Sequence, residues 1–279
     1  MDWSAGKGTL SAGGKALEWR SFGPAPDKAA TIVLLHEGLG CAALWRDFPE
    51  KLAQATGKGV FVYSRAGYGQ SDPVDLPRPL DYMTREAVDV LPQVLDAIGF
   101  RSGVLMGHSD GATIAAIYAG SVEDFRVRGL ILMAPHFFTE EMGLASIAEA
   151  KAVYETDLKA RMAKYHRDPE ATFRGWNDTW LHPDFQAWNV EHVLDNFGVP
   201  ALALQGKQDQ YGSDEQVLVV ARRSPAPVQV ALLDDCRHVP FLEQPDLTLA
   251  TIQGFVEGLV AGSSAQPNAQ PSAQPSARS

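Results

Sequence analysis

Gly107-His108-Ser109-Asp110-Gly111 stands where the apolar run Gly103-Val104-Leu105-Met106 gives way to the small-residue stretch Ala112-Thr113-Ile114-Ala115-Ala116-Ile117-Tyr118. A short apolar run bounded by glycine reads as a buried strand, and the stretch after it as a helix. G-x-S-x-G at such a junction predicts a sharp strand-to-helix turn that projects the serine hydroxyl. Glycines flank the serine because a Cβ at either place would collide with backbone.

A serine hydroxyl is a weak nucleophile until a base takes its proton, and that base needs a third group to fix its tautomer and offset its charge. Asp209 follows the apolar run Pro200-Ala201-Leu202-Ala203-Leu204-Gln205, and His238 follows Val228-Gln229-Val230-Ala231-Leu232-Leu233. Taken singly, Asp209 reads equally as a turn former and His238 as an ordinary loop histidine. Together they sit where open α/β sheets place ligands, in loops leaving the carboxyl ends of strands.

The order Ser109, Asp209, His238 resembles that of the α/β-hydrolase superfamily, and the likeness covers nearly everything from Leu34 to Phe255. Leu34-Leu35-His36-Glu37-Gly38-Leu39-Gly40 resembles the family's His-Gly-x loop, and Ser64-Arg65-Ala66-Gly67-Tyr68-Gly69-Gln70-Ser71-Asp72 its Asp-x-Arg-Gly-x-Gly-x-Ser segment. His238-Val239-Pro240-Phe241-Leu242-Glu243-Gln244-Pro245 is similar to the catalytic-histidine stretch of its small esterases, lactonases and carbon–carbon bond hydrolases. The resemblance implies Ser109 as nucleophile, His238 as base and Asp209 as its orienter. It also implies an oxyanion hole made by the backbone N–H groups of Gly38 and Asp110.

Three positions depart from the family pattern. Glu37 stands where most relatives carry glycine, and Ser64 and Ala66 replace aspartate and arginine. Oxyanion donors need only a backbone, so side chains there are free to vary. A carboxylate at Glu37 or Asp110 would oppose a developing oxyanion if it faced it. Glu37 is therefore expected either to turn away toward a cation such as Arg65 or to hydrogen-bond the substrate. His108, Phe137, Trp176, Trp180 and Val239 are further candidate substrate contacts.

Apolar strands are expected at 31–36, 60–64, 103–107, 129–133, 200–205 and 228–233, with a weaker one near 15–21. Helices are expected at 43–56, 84–98, 111–120, 213–222 and 246–260. This alternation predicts an α/β-hydrolase fold, a mostly parallel sheet covered by helices on both faces. The core is assigned to 1–135 and 198–262, and the segment 136–197, too long for one crossover, to an inserted helical lid with a helical stretch from about Ser146 to His166. Lid aromatics, Phe173, Phe185 and Trp188 among them, divide between helix core and the roof of the cleft. Residues 263–279, rich in Ala, Gln, Pro and Ser, read as a disordered tail.

A chain of 279 residues with 45% hydrophobic content can bury a sizeable core as one unit with an insertion. A net charge of −10 argues against unspecific nucleic-acid binding. Cys41 and Cys236 make no disulfide framework and read as small buried thiols. The histidines His136, His166, His182 and His192 lack metal-ligand spacing, so neither metal nor cofactor is expected. With no basic-then-apolar leader after Met1 and no run approaching a membrane span, the expectation is a cytoplasmic monomer or homodimer acting on a small molecule, with no membrane partner.

These features imply acyl transfer to serine followed by hydrolysis of a carboxylic ester or lactone with a small apolar or aromatic substrate. Carbon–carbon bond hydrolysis of ring-cleavage products is the alternative, followed by a thioesterase, a perhydrolase or a noncatalytic binding protein. An elbow serine disfavours the dehalogenases and epoxide hydrolases of similar fold, which use aspartate at that position.

Overall fold

The computed structural model describes residues 1–263, so the expected tail lies outside the described residues except for Ser263, the last residue of the final helix. The strands are β1 (Lys7–Ala12), β2 (Lys15–Phe22), β3 (Thr31–Leu35), β4 (Gly59–Tyr63), β5 (Gly103–His108), β6 (Val127–Met133), β7 (Ala201–Gly206) and β8 (Val228–Leu233). They form one sheet in the order β1-β2-β4-β3-β5-β6-β7-β8. From β4 to β8 every neighbouring pair is parallel, while β1 and β2 add an antiparallel edge. The chain has an α/β-hydrolase fold.

Every residue of β3, β4 and β5 is buried, as expected of strands covered on both faces. Period-two alternation divides them. Val33, Leu35, Phe61 and Leu105 join one apolar layer, and Ile32, Leu34, Val60 and Met106 the other. The helices are α1 (Phe48–Thr56), α2 (Tyr82–Arg85), α3 (Leu91–Ala97), α4 (Asp110–Ser121), α5 (Glu141–Val153), α6 (Lys159–Met162), α7 (Pro169–Trp180), α8 (Glu215–Arg223), α9 (Pro240–Glu243) and α10 (Pro245–Ser263). Helices α3, α4 and α8 cover the first layer, and α1 with α10 the second. Helix α4 is buried from Asp110 to Tyr118, and its alanines and Gly111 let it lie close on the sheet. Both cysteines are free and buried.

Two elements differ from the expectation. Strand β1 was not foreseen, because four of its six residues are exposed and Gly8 and Ser11 dilute its apolar signal. The two-residue Gly13-Gly14 turn, at φ 58° and 71°, closes the β1–β2 hairpin and is the local cue that marks it. The helix expected at 43–56 breaks into a 3-10 turn, Ala42–Trp45, and α1, because Arg46 takes a left-handed φ of 53° between them. The single helix expected at 84–98 is α2 and α3 joined by a π-helical turn, Glu86–Val90. Between β6 and β7 lie α5, α6 and α7 and two 3-10 turns. Phe137, Phe173, Trp176, Trp180 and Phe185 all belong to the first apolar layer, so the inserted segment is packed continuously onto the sheet side.

Candidate active site

At the end of β5 the backbone turns through Ser109 at φ 53° and ψ −121°, a conformation that non-glycine residues rarely adopt. The turn is held on both sides. Ser109 N–H donates to the Met133 carbonyl at 2.9 Å, and its own carbonyl accepts from Ala112 and Thr113 N–H. A Cβ on Gly107 would strike the Gly111 carbonyl, and one on Gly111 would lie 2.7 Å from the His36 oxygen. The glycines therefore serve a close approach of backbone to backbone.

The loops after β7 and β8 bring Asp209 and His238 together. His238 Nδ1 donates to both carboxylate oxygens of Asp209, at 2.9 and 2.8 Å, which leaves Nε2 as the acceptor nitrogen of the neutral ring. Burial alone would raise the Asp209 carboxyl, but the facing His238 and the Tyr211 N–H at 2.8 Å hold it below its ordinary range. Ser109 and His238 border one cavity of about 120 Å³. Among the described residues no hydrogen bond joins their side chains; such bonds are often long in unliganded sites and tighten with substrate. Gly38 and Asp110 border the same cavity, and among the described residues neither of their backbone N–H groups has an acceptor. Two such donors beside a serine can bind a developing oxyanion.

The carboxyl of Asp110 does not oppose that role. It accepts from the Tyr82 hydroxyl at 2.5 Å, and Tyr82 in turn accepts from Trp180 Nε1 at 3.1 Å. Burial raises its proton affinity above the usual carboxylate range despite the nearby Arg65 charge. Glu37 takes neither of its two expected arrangements in full. Arg65 Nη2 reaches the Glu37 backbone carbonyl at 3.1 Å, while the carboxylate lies 3.6 Å from His108 Nδ1 and borders the cavity. Burial pushes that carboxyl up, but His108 and Arg65 outweigh it and hold it below its ordinary range. Gly40 makes this possible, since a Cβ there would lie 2.6 Å from Glu37 Cδ.

Trp176 and Trp180 border the cavity, with Leu39, Phe138, Leu144 and Ile147 adding apolar wall. Three expected contacts are corrected. Phe137 is fully buried in the apolar layer because its N–H is bonded to Gln216 Oε1 at 2.8 Å, which turns Phe138 to the cavity instead. His108 is fully buried and donates from Nε2 to the His238 carbonyl at 2.7 Å. Val239 packs against the second apolar layer, away from the cavity. Sequence reasoning missed His136, Phe138, Glu140 and Tyr211 on the cavity wall. His136 had a usable signal, since it too follows a strand at the carboxyl edge of the sheet. Among the described residues there is no cluster with metal-ligand geometry, and no helix is long and apolar enough to cross a membrane.

A strained serine, an acid–histidine pair and two free backbone donors at the carboxyl edge of a parallel sheet define a hydrolase-type site. Residues 32–251 match the alpha/beta hydrolase family, and the chain belongs to it. It is similar to a proline iminopeptidase of Lactobacillus delbrueckii subsp. lactis, 30% identical over 183 residues, 64% of this chain and 57% of the relative. It is also similar to the serine hydrolase BPHL of Homo sapiens, 30% identical over 157 residues, 54% of this chain and 53% of the relative. The chain thus spans a little over half the length of each of these curated relatives. The enol-lactonase from Burkholderia xenovorans LB400 shares the fold, with a TM-score of 0.69 over 90% of this chain and 100% of that one at 18% identity.

Proposed function

We propose that this protein is a serine hydrolase of carboxylic esters or lactones with a small apolar or aromatic acyl part. The observation that carries the reading is the strained Ser109 at one cavity wall with the Asp209-oriented His238 at another. His238 Nε2 takes the Ser109 proton as Oγ attacks the substrate carbonyl, and the electron pair moves to the carbonyl oxygen between the N–H groups of Gly38 and Asp110. The oxyanion collapses, the bond to the leaving oxygen breaks, and His238 returns the proton to it. Water then repeats the sequence on the acyl-serine, with His238 as base, and frees the acid. Apolar walls at Leu39, Phe138, Leu144, Ile147, Trp176 and Trp180 support the apolar acyl part and exclude water that would weaken these electrostatics.

Two measurements test the reading. A fluorophosphonate probe should label the wild-type protein and not Ser109→Ala. In a panel of nitrophenyl esters of rising chain length, simple lactones, a vinylogous diketone and a proline anilide, the short esters or lactones should show the highest kcat/KM. Turnover confined to the diketone would make the enzyme a carbon–carbon bond hydrolase, and turnover confined to the anilide an aminopeptidase like its curated relative.

A further inference from the structure

His136 is the buried polar side chain of the cavity that the proposed chemistry leaves unused. It is only 6% exposed, yet its ring borders the cavity, and among the described residues neither ring nitrogen has a hydrogen-bond partner. Neither nitrogen is sealed from solvent, so the imidazole is open to a polar group that enters the cavity.

The ring is fixed in place. Thr113 Oγ1 donates to the His136 carbonyl at 2.6 Å and accepts from its N–H at 3.1 Å, clamping the residue to α4 one turn beyond Ser109. The imidazole lies nearly parallel to His238, with centroids 5.8 Å apart and planes at 21°, and it meets Trp180 edge-on at 5.4 Å. Gly212 leaves the space, since a Cβ there would sit 3.2 Å from His136 Cε1 and 3.3 Å from Nδ1. Burial, reinforced by His238, pushes the imidazole down to about 3, so the ring is neutral at physiological pH. A neutral imidazole offers one N–H donor and one nitrogen acceptor.

We infer that His136 is a specificity-determining residue that hydrogen-bonds a neutral hydroxyl on the acyl part of the substrate. A hydroxyl matches both faces of the ring, giving its proton to the bare nitrogen or accepting from the N–H. A carboxylate is disfavoured because Glu37 and Glu140 already border the cavity and the charge of Asp209 acts on the ring. The leaving oxygen is served by His238 Nε2, which places the group that meets His136 on the acyl chain. This inference rests on the ester or lactone reading and names the kind of acyl group it prefers.

The test compares nitrophenyl butyrate with the nitrophenyl esters of 2- and 3-hydroxybutyrate, which differ from it by one oxygen. The wild-type enzyme should favour at least one hydroxy ester by about tenfold in kcat/KM, because a buried site built for a hydroxyl is left unpaired by the analogue that lacks it. His136→Phe should bring that ratio to within about twofold of unity, and His136→Gln, which keeps a donor and an acceptor, should retain most of it. Effects on the shared serine chemistry cancel in the ratio. Turnover of butyrate with no preference for any hydroxy ester, or a preference that survives His136→Phe, overturns the inference alone. Failure to turn over any ester or lactone overturns the reading beneath it and the inference with it.

Discussion

His108 donates its Nε2–H to the backbone carbonyl of His238 at 2.7 Å, which ties the residue before the elbow serine to the residue placed to activate it. The bond spans 130 positions of sequence and joins the last residue of β5 to the loop after β8. It orients the His108 ring, leaves Nδ1 facing Glu37, and holds the His238 backbone while Asp209 holds its ring. The two imidazoles lie 5.0 Å apart, so the catalytic assignment can be tested by changes on either side of this contact.

Removal of the triad members should grade in severity. Ser109→Ala and His238→Ala should each lower turnover by on the order of 10⁶, and Asp209→Asn by roughly 10⁴, because the asparagine leaves the histidine present in the wrong tautomer. Steady-state kinetics on a short nitrophenyl ester measures this, and turnover of Ser109→Ala within tenfold of wild type would remove serine from the mechanism.

Strain at Ser109 predicts a stability trade. At φ 53° and ψ −121° a side chain costs about 1–3 kcal/mol, partly offset in a glycine variant by greater freedom of the unfolded chain. Ser109→Gly should therefore be more stable than the equally inactive Ser109→Ala by about 1 kcal/mol. Urea unfolding of the two variants side by side decides it, and equal midpoints would mean that the strain is no larger than the entropic cost of glycine.

Gly40 and Glu37 should behave as one unit. A Cβ at Gly40 meets the far end of the Glu37 side chain, which can move, so Gly40→Ala should fold and displace the carboxylate from His108. Each of Gly40→Ala and Glu37→Ala should alter kcat/KM for the preferred substrate, and the double variant should be no worse than the more severe single. The coupling energy expected for residues in contact is about 0.5–3 kcal/mol. Simple additivity across the cycle would show that Glu37 and Gly40 act separately.

Asp110 gives a pH signature. Its carboxyl is raised by burial, so the folded state binds its proton more tightly than the unfolded state does. That group's contribution is intact below the unfolded value of 3.8 and turns against stability as pH rises from there through the folded value. Asp110→Asn removes the term, so its melting temperature relative to wild type should climb from acid toward neutral pH. Melting curves of both proteins across that range check the sign, and a difference that falls with pH would place an ionised, favourably paired Asp110 in the fold.

Much was local enough to read from the chain. The apolar runs of β3, β4, β5 and β7 marked the parallel sheet, because strands buried on both faces must be continuously apolar. The glycines around Ser109 marked the turn, because the steric reason for Gly107 is local: a Cβ there would meet Gly111. Asp209 and His238 were legible as strand-end polar residues, and the sheet geometry makes such positions converge.

Side-chain direction was not legible. Phe137 and Phe138 are chemically identical neighbours, and which one faces the cavity is set by backbone bonds to distant segments, from Gln216 to both residues and from Val190 to the Phe137 carbonyl. Arg65 was expected to meet a carboxylate, but at close range it found the Glu37 carbonyl, and the room left by Gly40 let the carboxylate reach toward His108. His136 reads in sequence as one more histidine; its open nitrogens exist because Thr113, Gly212 and His238 converge on it from three other segments. Sequence determines which strands form and where polar residues leave them, since both follow from short-range periodicity and sterics. Which of those residues point into the cavity depends on contacts between segments distant in the chain, and only the tertiary structure sets those.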